Sequence, residues 1–124
     1  MKILNLTQHQ ATQDQIDNGV IDLDVSTKEW LTSMLTFDTL PTADDIEHRA
    51  SAIARNTRML GYDKAMIGGA LWLMSSLEKH LKMNNIQPLY AFSIRESVET
   101  VNGDGSVTKK NVFKHIGFIE VQSK

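Results

Sequence analysis

The sequence contains four histidines and no cysteine, so imidazole is the side chain available for proton transfer near neutral pH. His9 is the most suggestive of the four. It lies in the polar run Thr7-Gln8-His9-Gln10-Ala11, after the apolar segment Ile3-Leu4-Asn5-Leu6 and before Thr12. A histidine in a loop that follows a strand and precedes a helix reaches a cleft without burying an unpaired charge, and can serve as general acid or base. The plain alternative is a loop histidine that only bonds backbone. His48 and His80 fall in polar stretches of helical segments and read as surface residues. His115 lies in an alternating strand and can face either side.

Other residues suit an anionic ligand. Gly68-Gly69 ends an apolar segment just before a helical one. Glycine allows close backbone approach, and helix N-terminal amides attract phosphate. The pair is neither a dinucleotide fingerprint nor a P-loop, because no Gly-Lys-Ser/Thr follows, and a tight strand-to-helix turn explains it equally well. Trp72, in the first turn of that helix, can stack on a base or pack against the protein. In Ser93-Ile94-Arg95-Glu96-Ser97, strand alternation puts Ser93, Arg95 and Ser97 on one face, where Arg95 can hold a phosphate through two parallel bonds. A solvated face with an Arg–Glu pair is the alternative. Lys109, Lys110, Lys114 and His115 add positive charge nearby.

Several chemistries are not expected. The lack of cysteine removes thiolate zinc sites, iron–sulfur clusters, disulfides and a cysteine nucleophile. No His-x-x-x-His pattern and no Gly-x-Ser-x-Gly elbow occur, so neither a metal site nor a serine triad is expected, and no cofactor is called for. Thirteen Lys and Arg against fifteen Asp and Glu leave a net charge of −2, which argues against a duplex nucleic-acid partner. The N-terminus turns polar too soon for a signal peptide, and no apolar run approaches membrane-spanning length, so a cytoplasmic protein without a membrane partner is expected.

The elements that must position these groups are legible. With 124 residues, one domain over 1–124 is expected. Thr12 with Gln15 is a capping-box pattern for a short helix closed by Asn18-Gly19, and residues 20–23 read as a short strand. Ser26 with Glu29 reads as a second capping box, opening a helix through Trp30, Leu31, Met34 and Leu35. Thr42 is expected to cap a long helix with a stripe of Ile46, Ala50, Ile53, Thr57 and Leu60, and Gly61 to close it. A strand over 64–67, a helix from Ala70 facing inward through Leu73 or Met74, Leu77 and Leu81, and a strand over 89–94 follow. Asn102-Gly103-Asp104-Gly105 is a strong turn signal and predicts a terminal hairpin. Alternating strands and helices give a small Rossmann-like three-layer α/β domain, its sheet mainly parallel, with a C-terminal antiparallel β-hairpin. Ligands of such sheets bind outside the carboxyl ends of the parallel strands. Residues 7–9, 68–69 and 93–97 are expected to meet there.

The run Asn5-Leu6-Thr7-Gln8-His9-Gln10-Ala11-Thr12-x-x-Gln15 resembles the opening of small stand-alone ring nucleases of type III CRISPR systems and their mobile-element relatives. The Ile67-Gly68-Gly69 strand end and the hairpin with Ser93-x-Arg95 are similar in layout, whereas residues 20–42 have no counterpart. The resemblance implies cleavage of cyclic oligoadenylate second messengers, which switches off antiviral signalling, by a symmetric homodimer. Metal-free cleavage needs a ribose 2′-hydroxyl aligned on the adjacent phosphorus, a proton-transfer group and charge stabilisation. On that reading His9 and Arg95 are catalytic. Thr7, Gln8, Gly68, Gly69, Trp72, Ser93, Ser97 and His115 bind the ligand. The competing reading is a binding protein that sequesters a cyclic nucleotide uncut. A nucleoside- or nucleotide-sugar-processing enzyme is a third, since fold alone does not separate them.

Overall fold

In the computed structural model, which describes residues 2–122, short apolar segments form the centre of a sheet and longer amphipathic ones cover it. The order is β1 (Ile3–Leu6), α1 (Gln13–Asp17), β2 (Val20–Ile21), α2 (Val25–Leu35), α3 (Ala43–Met59), β3 (Lys64–Ile67), α4 (Leu71–Met83), β4 (Gln87–Val101) and β5 (Val107–Glu120). The strands lie in the order β2-β1-β3-β4-β5. β1 pairs parallel with β2 and β3, and β3 parallel with β4, while β5 runs antiparallel to β4. This is the expected small Rossmann-like α/β fold with its terminal hairpin, which turns where Asn102 N–H bonds the Ser106 carbonyl at 2.8 Å.

The two faces of the sheet are covered unequally. Leu4, Leu6, Ala65 and Ile67 join a large core with Leu31 and Leu35 of α2, Ala50, Ile53 and Ala54 of α3, and Leu73, Leu77 and Leu81 of α4. Ile3, Val20, Met66 and Leu89 form a small cluster on the other face, against Ala11 and Phe118. Among the described residues the one helix on that side, α1, has five residues and buries none of them. Right-handed crossovers account for this division. The chain leaves β1 toward β2 on one side, then returns through α2 and α3 to β3 and through α4 to β4 on the other.

Most helix ends follow the local rules. Thr12 and Gln15 form the reciprocal capping box, Thr42 accepts from Asp45 N–H at 3.1 Å, and Gly61 takes a positive φ of 85° after α3. Three expectations fail. Asp24, not Ser26, caps α2: its carboxylate accepts from Thr27 N–H at 2.7 Å and from the Ser26 hydroxyl, an aspartate being fully competent at that position. Leu60 leaves the α3 stripe because the helix ends at Met59, and Leu60 is exposed. His80 is not a surface residue. Its side chain is 15% exposed, and Nε2 meets Glu47 Oε2 at 2.6 Å.

Glu47 ties α3 to α4. Its other oxygen accepts from Ser76 Oγ at 2.7 Å, and Lys79 Nζ stands 3.8 Å away. The His80 bond above all, then the Ser76 bond and the Lys79 charge, holds the Glu47 carboxyl below its usual range. Folding therefore favours the ionised form. This contribution is present above the ordinary glutamate value of about 4.3 and is lost as pH falls through the depressed folded value. We expect the melting-temperature gap between wild type and Glu47→Gln to shrink as pH is lowered from about 6 to about 3, as that linkage requires. A gap unchanged across this range would contradict it.

Candidate functional site

The connections from β1 and β3 depart in opposite directions, which leaves a crevice between these strands at their carboxyl ends. A cavity of about 640 Å³ lies there, within the range of small-molecule sites. Thr7, Gln8, His9 and Gln10 line it from the loop after β1, and Thr12 and Gln15 from the start of α1. Met66, Ile67, Gly68, Gly69 and Ala70 line it from the end of β3, and Tyr90 and Ala91 from β4.

One buried side chain shapes the first of these loops. Asn5 is 2% exposed, in the middle of apolar β1. Its Nδ2 donates to the His9 carbonyl at 2.8 Å and to Asp22 Oδ1 at 2.7 Å. Its Oδ1 accepts from Thr7 N–H at 2.9 Å and from the Thr7 hydroxyl at 2.7 Å. Asp22 also accepts from Ala11 N–H at 3.1 Å. The backbone of residues 7–11 is thus held at both ends, while the His9 side chain stands exposed at the cavity.

The second wall is a turn that requires glycine. Gly69 has φ 146°, a conformation L side chains rarely adopt. A Cβ on Gly68 would stand 3.4 Å from Thr7 Cγ2, between the two loops. The turn delivers the chain to α4, whose N-cap, Ala70, makes no side-chain capping bond. The first amides of this helix therefore have no side-chain acceptor beside the cavity, an arrangement that favours an anion.

On the third wall, Tyr90 donates its hydroxyl to Glu78 Oε2 at 2.5 Å. Burial, then the Glu78 bond and charge, pushes the phenol well above its ordinary value. Tyr90 therefore stays protonated through the neutral range.

The structure brings Thr7, Gln8, His9, Gly68 and Gly69 together as expected, but not the remaining sequence candidates. Trp72 packs edge-on against Phe37 at 5.5 Å, and the Arg49 guanidinium lies 4.1 Å from the centre of that same Phe37 ring. Ser93, Arg95 and Ser97 belong to β4 but lie beyond the cavity lining, because β4 continues past the ends of its parallel neighbours. Arg95 sits over Phe113 at 5.5 Å, and Ser97 donates to Asn111 at 3.1 Å. His115 pairs across the hairpin with Ser93, stacks edge-on against Phe118 at 4.9 Å, and leaves both buried ring nitrogens without a hydrogen-bond partner. Among the described residues, no group of three or more His, Asp or Glu is placed to hold a metal ion. None of their helices is long and apolar enough to cross a membrane.

Sequence reasoning missed Asn5, Asp22 and Tyr90. An asparagine inside an apolar strand was the available signal for the first, since a buried amide must find partners. Asp22 and Tyr90 carried no local signal. Asn5→Leu should destabilise the protein by about 1–3 kcal/mol for each buried group left unpaired. Asp22→Ala should cost less, because Asp22 is exposed. Urea denaturation measures both, and an Asn5→Leu protein as stable as wild type would refute the anchoring role.

No curated protein and no solved structure matches the chain. A family model described as "Uncharacterized protein MJ1673 family" matches residues 1–119. With nearly its whole length covered, including every segment that lines the cavity, the chain belongs to the MJ1673 family.

Proposed function

We propose that this protein is a ring nuclease that cleaves cyclic oligoadenylate messengers, acting in the cytoplasm to switch off or counteract antiviral signalling. One observation carries the proposal: the exposed His9 and the uncapped start of α4, joined to β3 by Gly68-Gly69, converge on one cavity at the reversal point of a parallel sheet. A proton-transfer group faces an anion-favouring helix end there. That pairing suits a phosphodiester.

In this reading the ribose 2′-oxygen gives its proton to His9 and bonds to the adjacent phosphorus. The bond from phosphorus to the 5′-oxygen breaks, and that oxygen takes up a proton. The products are a 2′,3′-cyclic phosphate end and a 5′-hydroxyl. Amides around Gly69 and Ala70 stabilise the charge that builds on the phosphoryl oxygens. Thr7 and Gln8 orient the sugar and phosphate. Arg95 shares its strand face with the cavity residue Ala91, about 13 Å further along by strand rise, so a ligand larger than the cavity meets it above the mouth. Ser93, Ser97, Trp72 and His115 are secondary contacts for the same overhanging part. A ring of several nucleotides exceeds one cavity, so two copies present their cavities to one symmetric ligand.

The binding-only reading also has support. Of the cavity lining, only His9 and Tyr90 carry ionisable groups, and Tyr90 is held protonated. The two readings separate on incubation with cyclic oligoadenylates of several ring sizes, with and without EDTA, followed by chromatography. Cleavage that survives EDTA supports the nuclease, whereas retention of an intact ring supports sequestration. His9→Ala should lower single-turnover cleavage by about 10²–10⁴-fold while melting as wild type does. Arg95→Ala should weaken binding and turnover more than Arg95→Lys, because lysine loses the guanidinium fork but keeps the positive charge. Wild-type cleavage by a normally folded His9→Ala protein would discard this mechanism.

A further inference from the structure

The end of the chain is built as an arm. β3 pairs with β4 no further than Leu89, yet β4 and β5 stay paired with each other out to Val101 and Val107. Residues 92–101 span about 30 Å at ordinary strand rise. Because β4 runs parallel to β1 and β3, this ribbon rises on the cavity side of the sheet. A two-stranded ribbon in water is marginal without a covering layer.

Its surface is apolar where it should be polar. On the face continuing from Tyr90, Phe92, Ile94 and Val98 are 46%, 39% and 44% exposed. On the opposite face Val101, Val107 and Phe113 are exposed, and Ile116 is exposed at the bulge opposite residues 92 and 93. On the Phe92 face, with Ile119, the exposed apolar side chains amount to roughly 300 Å², an apolar centre for an interface of roughly 800 Å² per partner whose remainder the polar side chains of the same face supply.

The charges identify the occupant. The register places Glu96 of β4 diagonally between Lys110 and Lys114 of β5, on the face that carries Phe92, Ile94 and Val98. Glu96 closes an ion pair with neither. Among the described residues, the arm's one ion pair is Lys109–Glu99, at 3.6 Å on the opposite face. Acid on one strand and lysines on the other make this face self-complementary under a two-fold rotation. The lysines of β5 also discourage strand addition at its free edge, so the approach is face to face.

We infer that the β4–β5 arm is a dimerisation element, and that its Phe92–Ile94–Val98 face packs against the same face of a second copy of this chain. Glu96 of each copy then meets Lys110 and Lys114 of the other. The inference goes beyond the proposed activity and does not depend on which ligand the cavity takes.

Light scattering after gel filtration, across a concentration series of the full chain, tests it. Wild type should run as a dimer at micromolar concentration. Ile94→Lys with Val98→Lys should weaken association by about 100-fold or more while far-UV circular dichroism stays native. If that double variant fails to fold, gentler surface changes decide. Glu96→Lys should weaken the dimer, and adding Lys110→Glu and Lys114→Glu should restore it. His9→Ala should leave association unchanged, so failure of the reaction and failure of the interface are read separately. A monomeric wild type would overturn the inference. So would a folded Ile94→Lys/Val98→Lys protein that dimerises as wild type does, or charge reversals without effect.

Discussion

Asn5 sits where an apolar residue would ordinarily stand, and its buried carboxamide makes four hydrogen bonds. Two hold Thr7, one holds the carbonyl of His9, and one reaches Asp22 beyond the end of β2. A buried amide without these partners would cost free energy at each unpaired group, so the loop has little freedom to move while the strand stays folded. The position of His9 is therefore coupled to the stability of the central strand. A catalytic or binding group benefits from such support, because its backbone is placed before any ligand arrives.

The unequal covering of the sheet explains where the cavity opens. Three helices bury one face thoroughly. The other face carries the short α1 and the loop before it. The cavity lies between this loop and the start of α4, where backbone groups are not consumed by neighbouring strands. Gly69 makes the junction possible, since its backbone conformation would strain any residue with a side chain. A fold with a complete second helical layer would close this space.

The arm differs from the cavity in physical character. The cavity is polar at its rim and rests on a buried core, whereas the arm is apolar on its surface and rests on one partner strand. Both lie on the carboxyl side of the parallel strands. A second copy docked on the arm therefore stands beside the cavity rather than behind it. Arg95 and the Phe92–Ile94–Val98 face both lie beyond the ends of β1 and β3, but on opposite faces of the arm.

The sequence alone determined the element types, the parallel direction of the central strands and the hairpin. These follow from local rules: apolar runs bounded by polar loops, Thr12 and Thr42 as caps, and Asn-Gly and Asp-Gly at a turn. It also determined that residues 7–9 and 68–69 meet, because the ends of neighbouring parallel strands must. It misplaced the cap of α2, where Asp24 and Ser26 both satisfy the same local rule. Only the tertiary structure decided the rest. His80 found Glu47 across two helices, 33 residues away in sequence. Tyr90 joined the cavity, while Arg95 and Ser97, on the same strand, did not. Position along β4 relative to the end of β3 set that division, and a strand's own sequence does not record where its neighbour stops. Periodicity reports which residues share a face. Which part of that face is covered depends on elements contributed from elsewhere in the chain.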